Sequence, residues 1–190
     1  MAISPEDRRK LSDLVTSAVA AAVKGLPPPQ VEDSSGLLAE RRGCFVTLKN
    51  AGRLRGCIGT FQPDRPLGEM VVQMAVAAAT QDPRFVFDRI TPRELPGLAI
   101  EVSVLSPLTE TKEPEKLQIG THGIYVVRGM QAGCFLPEVA TDMGWGVEAF
   151  LDHCCEGKAG LPAGAWRQPG TKVYLFTSEK FECRPGRKSS

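Results

Sequence analysis

One cysteine lies between two glycines in a stretch that the surrounding residues predict to be a β-strand. Residues 54–60 carry Gly56 and Gly59 on either side of Cys57. A glycine inside a strand has no side chain to pack, and it usually marks a bulge or a close approach to the backbone. Strict alternation of the two faces would place Arg55 beside Cys57 and leave open space at Gly59. A positive charge near a thiol favours the thiolate, which is the nucleophilic form of cysteine.

Cys57 and His122 together suggest cysteine-dependent chemistry of the hydrolase or transferase type. His122 stands in a Gly-Thr-His-Gly stretch at the entrance to another predicted strand. A neutral imidazole there could accept the thiol proton as general base. Glu101, in a third predicted strand, could orient the imidazole. A carboxylate in a buried strand needs a partner, so Glu101 could instead bond Arg55 or Arg84, or face water.

The same region also permits binding without chemistry. In this hypothesis a small anionic ligand occupies a site at which Cys57 and His122 meet five further residues. These five predicted ligand-binding residues are Arg55, Gly56, Gly59, Arg84 and Glu101.

A third alternative gives these residues purely structural roles. Free cysteine is often buried and then behaves as a small hydrophobic residue. His122 could bond backbone carbonyls within its turn, and Arg84 could form an ion pair with Asp82 or Asp88. The two glycines would then allow close packing of a helix on the strand.

The elements that position these residues follow from the apolar pattern. Two apolar runs joined by Asn-Ala-Gly predict a β-hairpin over residues 44–61. Apolar residues at helical spacing predict a first helix, for which Ser4 is the N-cap and Pro5 the first residue, and a second helix over residues 66–80. Further strands are predicted at 98–105, 124–128, 134–136 and 173–176, short helices at 138–143 and 147–156, a connection at 30–42 and a loose tail from 184.

This pattern predicts an α+β fold, in which antiparallel hairpins are covered by helices and two lobes enclose a cleft. Residues 1–190 would form a single domain, with a smaller lobe at about residues 62–96 packed on a larger lobe formed by the rest.

Composition excludes several functional classes. A formal net charge of +1 argues against general nucleic-acid binding and gives no attraction to anionic membranes. The first residues lack a basic segment followed by an apolar run, and the apolar segment at 18–23 is too short to span a bilayer. The six cysteines contain no Cys-x-x-Cys pair, so we expect no metal site and no thioredoxin-like motif. The sequence therefore predicts a cytoplasmic protein with reduced thiols and no cofactor.

The order of motifs along the chain resembles that of the AMMECR family. The most specific match is the stretch 53–61, Arg-Leu-Arg-Gly-Cys-Ile-Gly-Thr-Phe, with the LRGCIG motif at its centre. Further matches follow in the family's order and cover nearly the whole chain: residues 82–85, 100–107, 120–124 and 136–140, Trp145, residues 150–151 and 158–162, and Trp166. This chain has Phe87 where the family usually has proline, and Glu138 where it usually has glutamine.

The resemblance implies partners as well as a fold. AMMECR-type proteins, also labelled AmmeMemoRadiSam system protein A, are associated with a Memo-like protein and a radical S-adenosylmethionine (SAM) protein. This chain has no Cys-x-x-x-Cys-x-x-Cys cluster motif, so the resemblance implies that any such chemistry belongs to a partner. The resemblance also implies two subdomains with a cleft between them.

Overall fold

The computed structural model describes residues 2–33 and 35–183 and contains both helices and antiparallel strands. The elements, in chain order, are α1 (Pro5–Val23), α2 (Gly36–Ala39), β1 (Cys44–Asn50), β2 (Arg53–Thr60), α3 (Leu67–Thr80), β3 (Leu98–Leu105), β4 (Thr109–Thr111), β5 (Gly123–Arg128), β6 (Gln131–Phe135), α4 (Pro137–Met143), α5 (Val147–Cys154), β7 (Lys172–Phe176) and β8 (Ser178–Cys183). The predicted α+β class is confirmed. The predicted tail from residue 184 lies outside the described residues.

The chain divides into two compact units. Of the described residues, unit 1 takes those up to 105 together with 179–183, and unit 2 takes residues 106–178. Each unit contains one four-stranded antiparallel sheet, in the order β2-β1-β3-β8 in unit 1 and β4-β7-β5-β6 in unit 2.

The core of unit 1 lies between its sheet and the helices α1 and α3. α1 begins as predicted, because the Ser4 side chain accepts a hydrogen bond from the backbone N–H of Asp7 at 3.1 Å. The apolar residues of both helices are buried with Val46 and Leu48 of β1. The connection at 30–42 contains the short helix α2, whose Leu37 and Leu38 are also buried in this core.

Unit 2 has its own core, built on the β5–β6 hairpin and α5. Phe150 is fully buried and stacks on Phe135 with ring centroids 5.7 Å apart. α5 ends at Cys154 and continues into a π-helical turn at Cys155–Ala159, so the predicted helix over residues 147–156 differs only in this last turn.

Residues 62–96 do not separate as the smaller lobe that the sequence suggested. They lie within unit 1, because α3 packs against α1 and against the β1–β2 hairpin. The apolar face of α3, including Met70, Val71 and Ala75, is part of the same core as the sheet. The boundary between the units instead follows β3.

Candidate functional site

The β1–β2 hairpin places Cys57 on the side of the sheet away from α3. Val46 and Leu48 of β1 are fully buried in the core, whereas Thr47 between them faces the other way. Cys57 is the cross-strand partner of Thr47, so its side chain lies on the same outer face. The register shifts between Leu48 and Lys49, which pair with Gly56 and Leu54, and Arg55 is the extra residue of a β-bulge.

Two residues of the loop after α3 cap the edge of the sheet at Cys57. β2 is an edge strand, so one side of its backbone lacks a strand partner. The backbone N–H of Cys57 donates to Oδ2 of Asp82 at 2.8 Å. The carbonyl oxygen of Cys57 accepts from Nη2 of Arg84 at 3.2 Å. Both backbone groups of Cys57 are therefore satisfied by the Asp82–Arg84 pair.

Asp82 and Arg84 form a two-pronged ion pair. Arg84 donates from Nε to Oδ1 of Asp82 at 3.0 Å and from Nη2 to Oδ2 at 2.7 Å. The Arg84 guanidinium, with the backbone N–H groups of Cys57 and Arg84, lowers the pKa of Asp82 from 3.8 to about 2. The Asp82 side chain is 2% exposed and the Arg84 side chain 54% exposed. A buried carboxylate thus fixes a guanidinium that itself faces solvent.

The thiol of Cys57 is half-buried and has a polar neighbour. The Thr47 hydroxyl donates a hydrogen bond to Sγ of Cys57 at 3.2 Å. Thr47 also pairs with Glu101 across β1 and β3, so Cys57, Thr47 and Glu101 form a row on the outer face. Glu101 accepts from Nζ of Lys49 at 2.7 Å. Its partner is this lysine rather than either arginine that the sequence suggested.

Arg55 forms its ion pairs away from Cys57, and it does not lie beside the thiol as strand alternation predicted. Its Nη1 lies 2.6 Å from Oδ2 of Asp88, and its Nε lies 3.0 Å from Oε1 of Glu94. The prediction assumed a regular strand, and the bulge at Arg55 breaks that regularity. Arg55 instead holds the segment 88–94 against the hairpin, while Arg84 takes the position next to Cys57.

Both glycines beside Cys57 are explained by packing. A Cβ atom at Gly56 would lie 2.0 Å from the carbonyl oxygen of Ala78 in α3. A Cβ atom at Gly59 would lie 2.2 Å from the ring of Phe45, its cross-strand partner. The open space expected at Gly59 is therefore absent, because the Phe45 ring covers it. The contact at Gly56 agrees with the structural alternative of close helix packing, whereas Gly59 makes room for a side chain of the neighbouring strand and not for a helix.

His122 lies in unit 2, whereas Cys57 lies in unit 1. Nδ1 of His122 accepts a hydrogen bond from the backbone N–H of Gln118 at 3.0 Å. A neutral imidazole whose Nδ1 is an acceptor carries its proton on Nε2. In this geometry Nδ1 of His122 is engaged by its own turn. The alternative role within the turn is present in a different form, because the partner of His122 is a backbone N–H and not the carbonyl that the sequence suggested.

Sequence reasoning missed the roles of Asp82 and Thr47. An aspartate before a proline is a recognisable cap, and Asp82 does cap the short 3₁₀ turn Pro83–Phe85. Pairing Thr47 with Cys57 requires the bulge, because an unbroken register from the Asn50–Arg53 pair would place Thr47 opposite Gly56.

Among the residues described, no group of three or more His, Cys, Asp or Glu side chains is arranged to hold a metal ion. None of the described helices is long and apolar enough to cross a membrane.

Comparisons with known proteins point in one direction. The AMMECR1 family model matches residues 12–181. Protein MK0488 of Methanopyrus kandleri is 47% identical over 153 residues, which cover 76% of this chain and 73% of that protein. A protein of Methanothermobacter thermautotrophicus is 37% identical over 186 residues, 94% of this chain and 95% of its own length. The crystal structure of the uncharacterized protein PH0010 from Pyrococcus horikoshii is similar at a TM-score of 0.83 and 37% identity, covering 95% of this chain and 93% of that one.

Proposed function

We propose a binding function for this chain, which belongs to the AMMECR1 family. In this proposal it takes a small anionic ligand or an acidic group of a partner protein at the Cys57–Arg84 surface, which comprises Thr47, Cys57, Asp82 and Arg84. It acts in the cytoplasm as a component of a modification pathway, together with Memo-like and radical SAM proteins that supply the chemistry.

The observation that carries the proposal is the fixed yet exposed guanidinium of Arg84. Its Nε and Nη2 atoms are held by Asp82 and Cys57, and none of the described residues accepts a hydrogen bond from its Nη1 atom. A cation held in place loses little side-chain entropy when a ligand arrives. The N–H groups of Nη1 can then donate to a carboxylate or phosphate oxygen of the ligand.

Binding accounts for the site better than turnover by this chain alone. Both histidines of the sequence, His122 and His153, belong to unit 2, so unit 1 offers Cys57 no imidazole of its own. Asp82 is the carboxylate that hydrogen-bonds to Cys57. Its oxygens already accept hydrogen bonds from the Arg84 side chain and from two backbone N–H groups. A group with its pKa near 2 is a poor general base at neutral pH.

The test is direct binding of the purified chain to recombinant Memo-like and radical SAM proteins, measured by interferometry. Arg84→Ala should weaken binding by about tenfold or more, because an interfacial arginine is often among the few residues that dominate affinity. Arg9→Ala, which removes an exposed arginine of α1, is the matched control and should change nothing. Binding to neither protein, or equal affinity of wild type and Arg84→Ala, would overturn the proposal.

A second candidate is a cysteine-dependent enzyme, favoured by the partial exposure of the Cys57 thiol. The discriminating measurement is the rate of iodoacetamide labelling at Cys57 as a function of pH, compared with free cysteine. A Cys57 that reacts faster than the free thiol at neutral pH would favour this enzyme. A rate no greater than that of free thiol would favour binding.

A further inference from the structure

An aromatic side chain stands entirely in solvent next to the Cys57–Arg84 surface. Phe87 is 104% exposed and its neighbour Val86 is 45% exposed. Phe85, two residues earlier, is half-buried and lies under the guanidinium groups of Arg84 and Arg55, at 5.7 and 6.0 Å. The segment therefore uses one phenylalanine for its own packing and presents the other outward.

The segment that carries Phe87 is tied down on both sides. The carboxylate of Asp88 binds Nη1 of Arg55 at 2.6 Å. Nη1 of Arg89 donates to the carbonyl oxygen of Thr80, at the end of α3, at 3.0 Å. The backbone N–H of Asp88 donates to the carbonyl oxygen of Phe85 at 3.1 Å. A side chain on a backbone held in this way can be buried by a partner without a large ordering cost.

The charges around Phe87 are predominantly positive after the carboxylates that form ion pairs within the chain are set aside. Asp88 and Glu94 are both engaged by Arg55. The exposed residues Arg53, Arg89 and Arg93 form no ion pair with any carboxylate of the described part of the chain. Arg53 lines the same cavity of about 420 Å³ as Asp88, which places it close to the segment. Arg93 directly precedes Glu94, which binds the same Arg55 side chain as Asp88 and so keeps this part of the chain near the segment.

We propose that Val86 and Phe87 form a docking anchor that inserts into an apolar pocket of a partner protein, and that carboxylates at the rim of that pocket meet Arg53, Arg89 and Arg93. The inference rests on the proposed binding function and names the contact surface that serves it. A buried phenylalanine with arginines around it is a common centre of interface affinity. Phe87 follows Arg84 by three residues, so their Cα atoms are at most about 11 Å apart. A partner that buries Phe87 in an interface of ordinary size, about 800 Å² on each side, would extend over the Cys57–Arg84 surface as well.

A protein partner fits these features better than a membrane surface. Binding at a lipid interface normally uses a helix with a broad apolar face or a covalent lipid. Here the apolar part consists of two side chains in a turn, and the whole chain has a formal net charge of only +1. One aromatic residue on a fixed turn matches a pocket of comparable size.

The test compares Phe87→Ala with Met130→Ala for binding to the recombinant Memo-like and radical SAM proteins. Met130 is a matched control, since it is equally exposed at 104% and lies in a turn of unit 2. Both substitutions remove a side chain that makes no packing contact, so the melting temperature should not change. Phe87→Ala should weaken binding by about tenfold or more, and Met130→Ala should leave it unchanged. The double variant Arg53→Gln/Arg93→Gln should slow association at low ionic strength and have a smaller effect at high salt.

The outcomes separate this inference from the proposed function. If wild type binds a partner and Phe87→Ala binds equally well, the docking anchor is wrong and the proposed function stands. If wild type binds neither protein, the proposed function fails and this inference fails with it. Vesicles of phosphatidylcholine and phosphatidylglycerol provide the third arm: binding of wild type but not of Phe87→Ala to them would assign the anchor to a membrane and overturn it.

Discussion

The Oδ2 atom of Asp82 lies 2.8 Å from the backbone nitrogen of Cys57 and joins an edge strand to the loop that follows α3. The same carboxylate holds the guanidinium of Arg84, which returns to the carbonyl oxygen of Cys57. The buried Asp82 side chain thus accepts the hydrogen bond that a neighbouring strand would accept if β2 were not at the edge of the sheet. It also fixes the position of the charged group on which the proposed function depends.

Replacing Asp82 with alanine should destabilise unit 1. The change leaves the N–H of Cys57 without its acceptor and frees Arg84, which we expect to lower the free energy of unfolding by about 2–3 kcal/mol. Urea denaturation followed by circular dichroism measures it. Asp13→Ala, at an exposed position of α1, is the control and should stay within about 0.5 kcal/mol of wild type. Equal stability of Asp82→Ala and wild type would show that the capping is dispensable.

The free energy of unfolding should depend on pH in part through the ionisation of Asp82. Arg84 first, and the N–H groups of Cys57 and Arg84, lower its pKa from 3.8 to about 2 in the folded chain. A lowered carboxyl pKa stabilises the folded state above the unfolded pKa, and this stabilisation is lost as pH falls through the folded pKa. At neutral pH this stabilisation contributes about 2 kcal/mol to the free energy of unfolding.

The measurement is the difference in unfolding free energy between wild type and Asp82→Asn. This difference should be constant near neutral pH and should shrink as pH falls from about 5 to about 2. Glu94 also has its pKa lowered to about 2, chiefly by the backbone N–H of Thr91, but it is present in both proteins and cancels. A difference that grows on acidification would have the wrong sign for this account.

A methyl group at Gly56 should not be accommodated. Its Cβ would lie 2.0 Å from the carbonyl oxygen of Ala78, and neither backbone can move without separating α3 from β2. We expect Gly56→Ala to cost about 3 kcal/mol or more. Gly97→Ala is the control in the same unit, because a Cβ there meets only Oδ1 of Asn50 at an ordinary 3.5 Å. A Gly56→Ala protein as stable as Gly97→Ala would contradict the close packing.

Alkylation should select one of the six cysteines in the folded chain. Cys57 is half-buried, whereas Cys44, Cys154, Cys155 and Cys183 are buried. Burial raises the pKa of Cys44 to about 12 and those of Cys134 and Cys183 to about 11, which leaves little thiolate at neutral pH. Mass spectrometry after brief iodoacetamide treatment should therefore find the label first on Cys57. First labelling at a buried cysteine would show that unit 1 or unit 2 opens more readily than this structure indicates.

Much of the fold follows from local signals. Ser4 and Pro5 predict the start of α1, and the apolar spacing predicts α3 to within one residue of its first position. The hairpin, β3 and the β5–β6 pair follow from apolar runs between turn residues. The unit boundary was not predicted, because the packing of α3 on α1 is a tertiary contact that periodicity does not encode.

The site was harder to predict for a related reason. Alternation along β2 assigns Arg55 to the face of Cys57, but the bulge at Arg55 cancels that inference. The strand glycines indicate that a bulge or a close approach can occur, but they do not identify Arg55 as the extra residue. Gly59 looked like empty space because the Phe45 ring that covers it comes from the opposite strand. The pairing of Arg84 with Asp82 is one of the two ion pairs that the sequence suggests, whereas the contact of both residues with Cys57 depends on where the loop lies.

The most direct test of the binding account is the rate of Cys57 alkylation in the presence and absence of the Memo-like and radical SAM proteins. Cys134, the half-buried thiol of unit 2, serves as the internal reference. The account predicts that a bound partner slows labelling of Cys57 by about tenfold or more while Cys134 keeps its rate, because docking excludes water and reagent from the Cys57–Arg84 surface. Absence of any complex, or a complex in which Cys57 is labelled as fast as in the free chain, would contradict it.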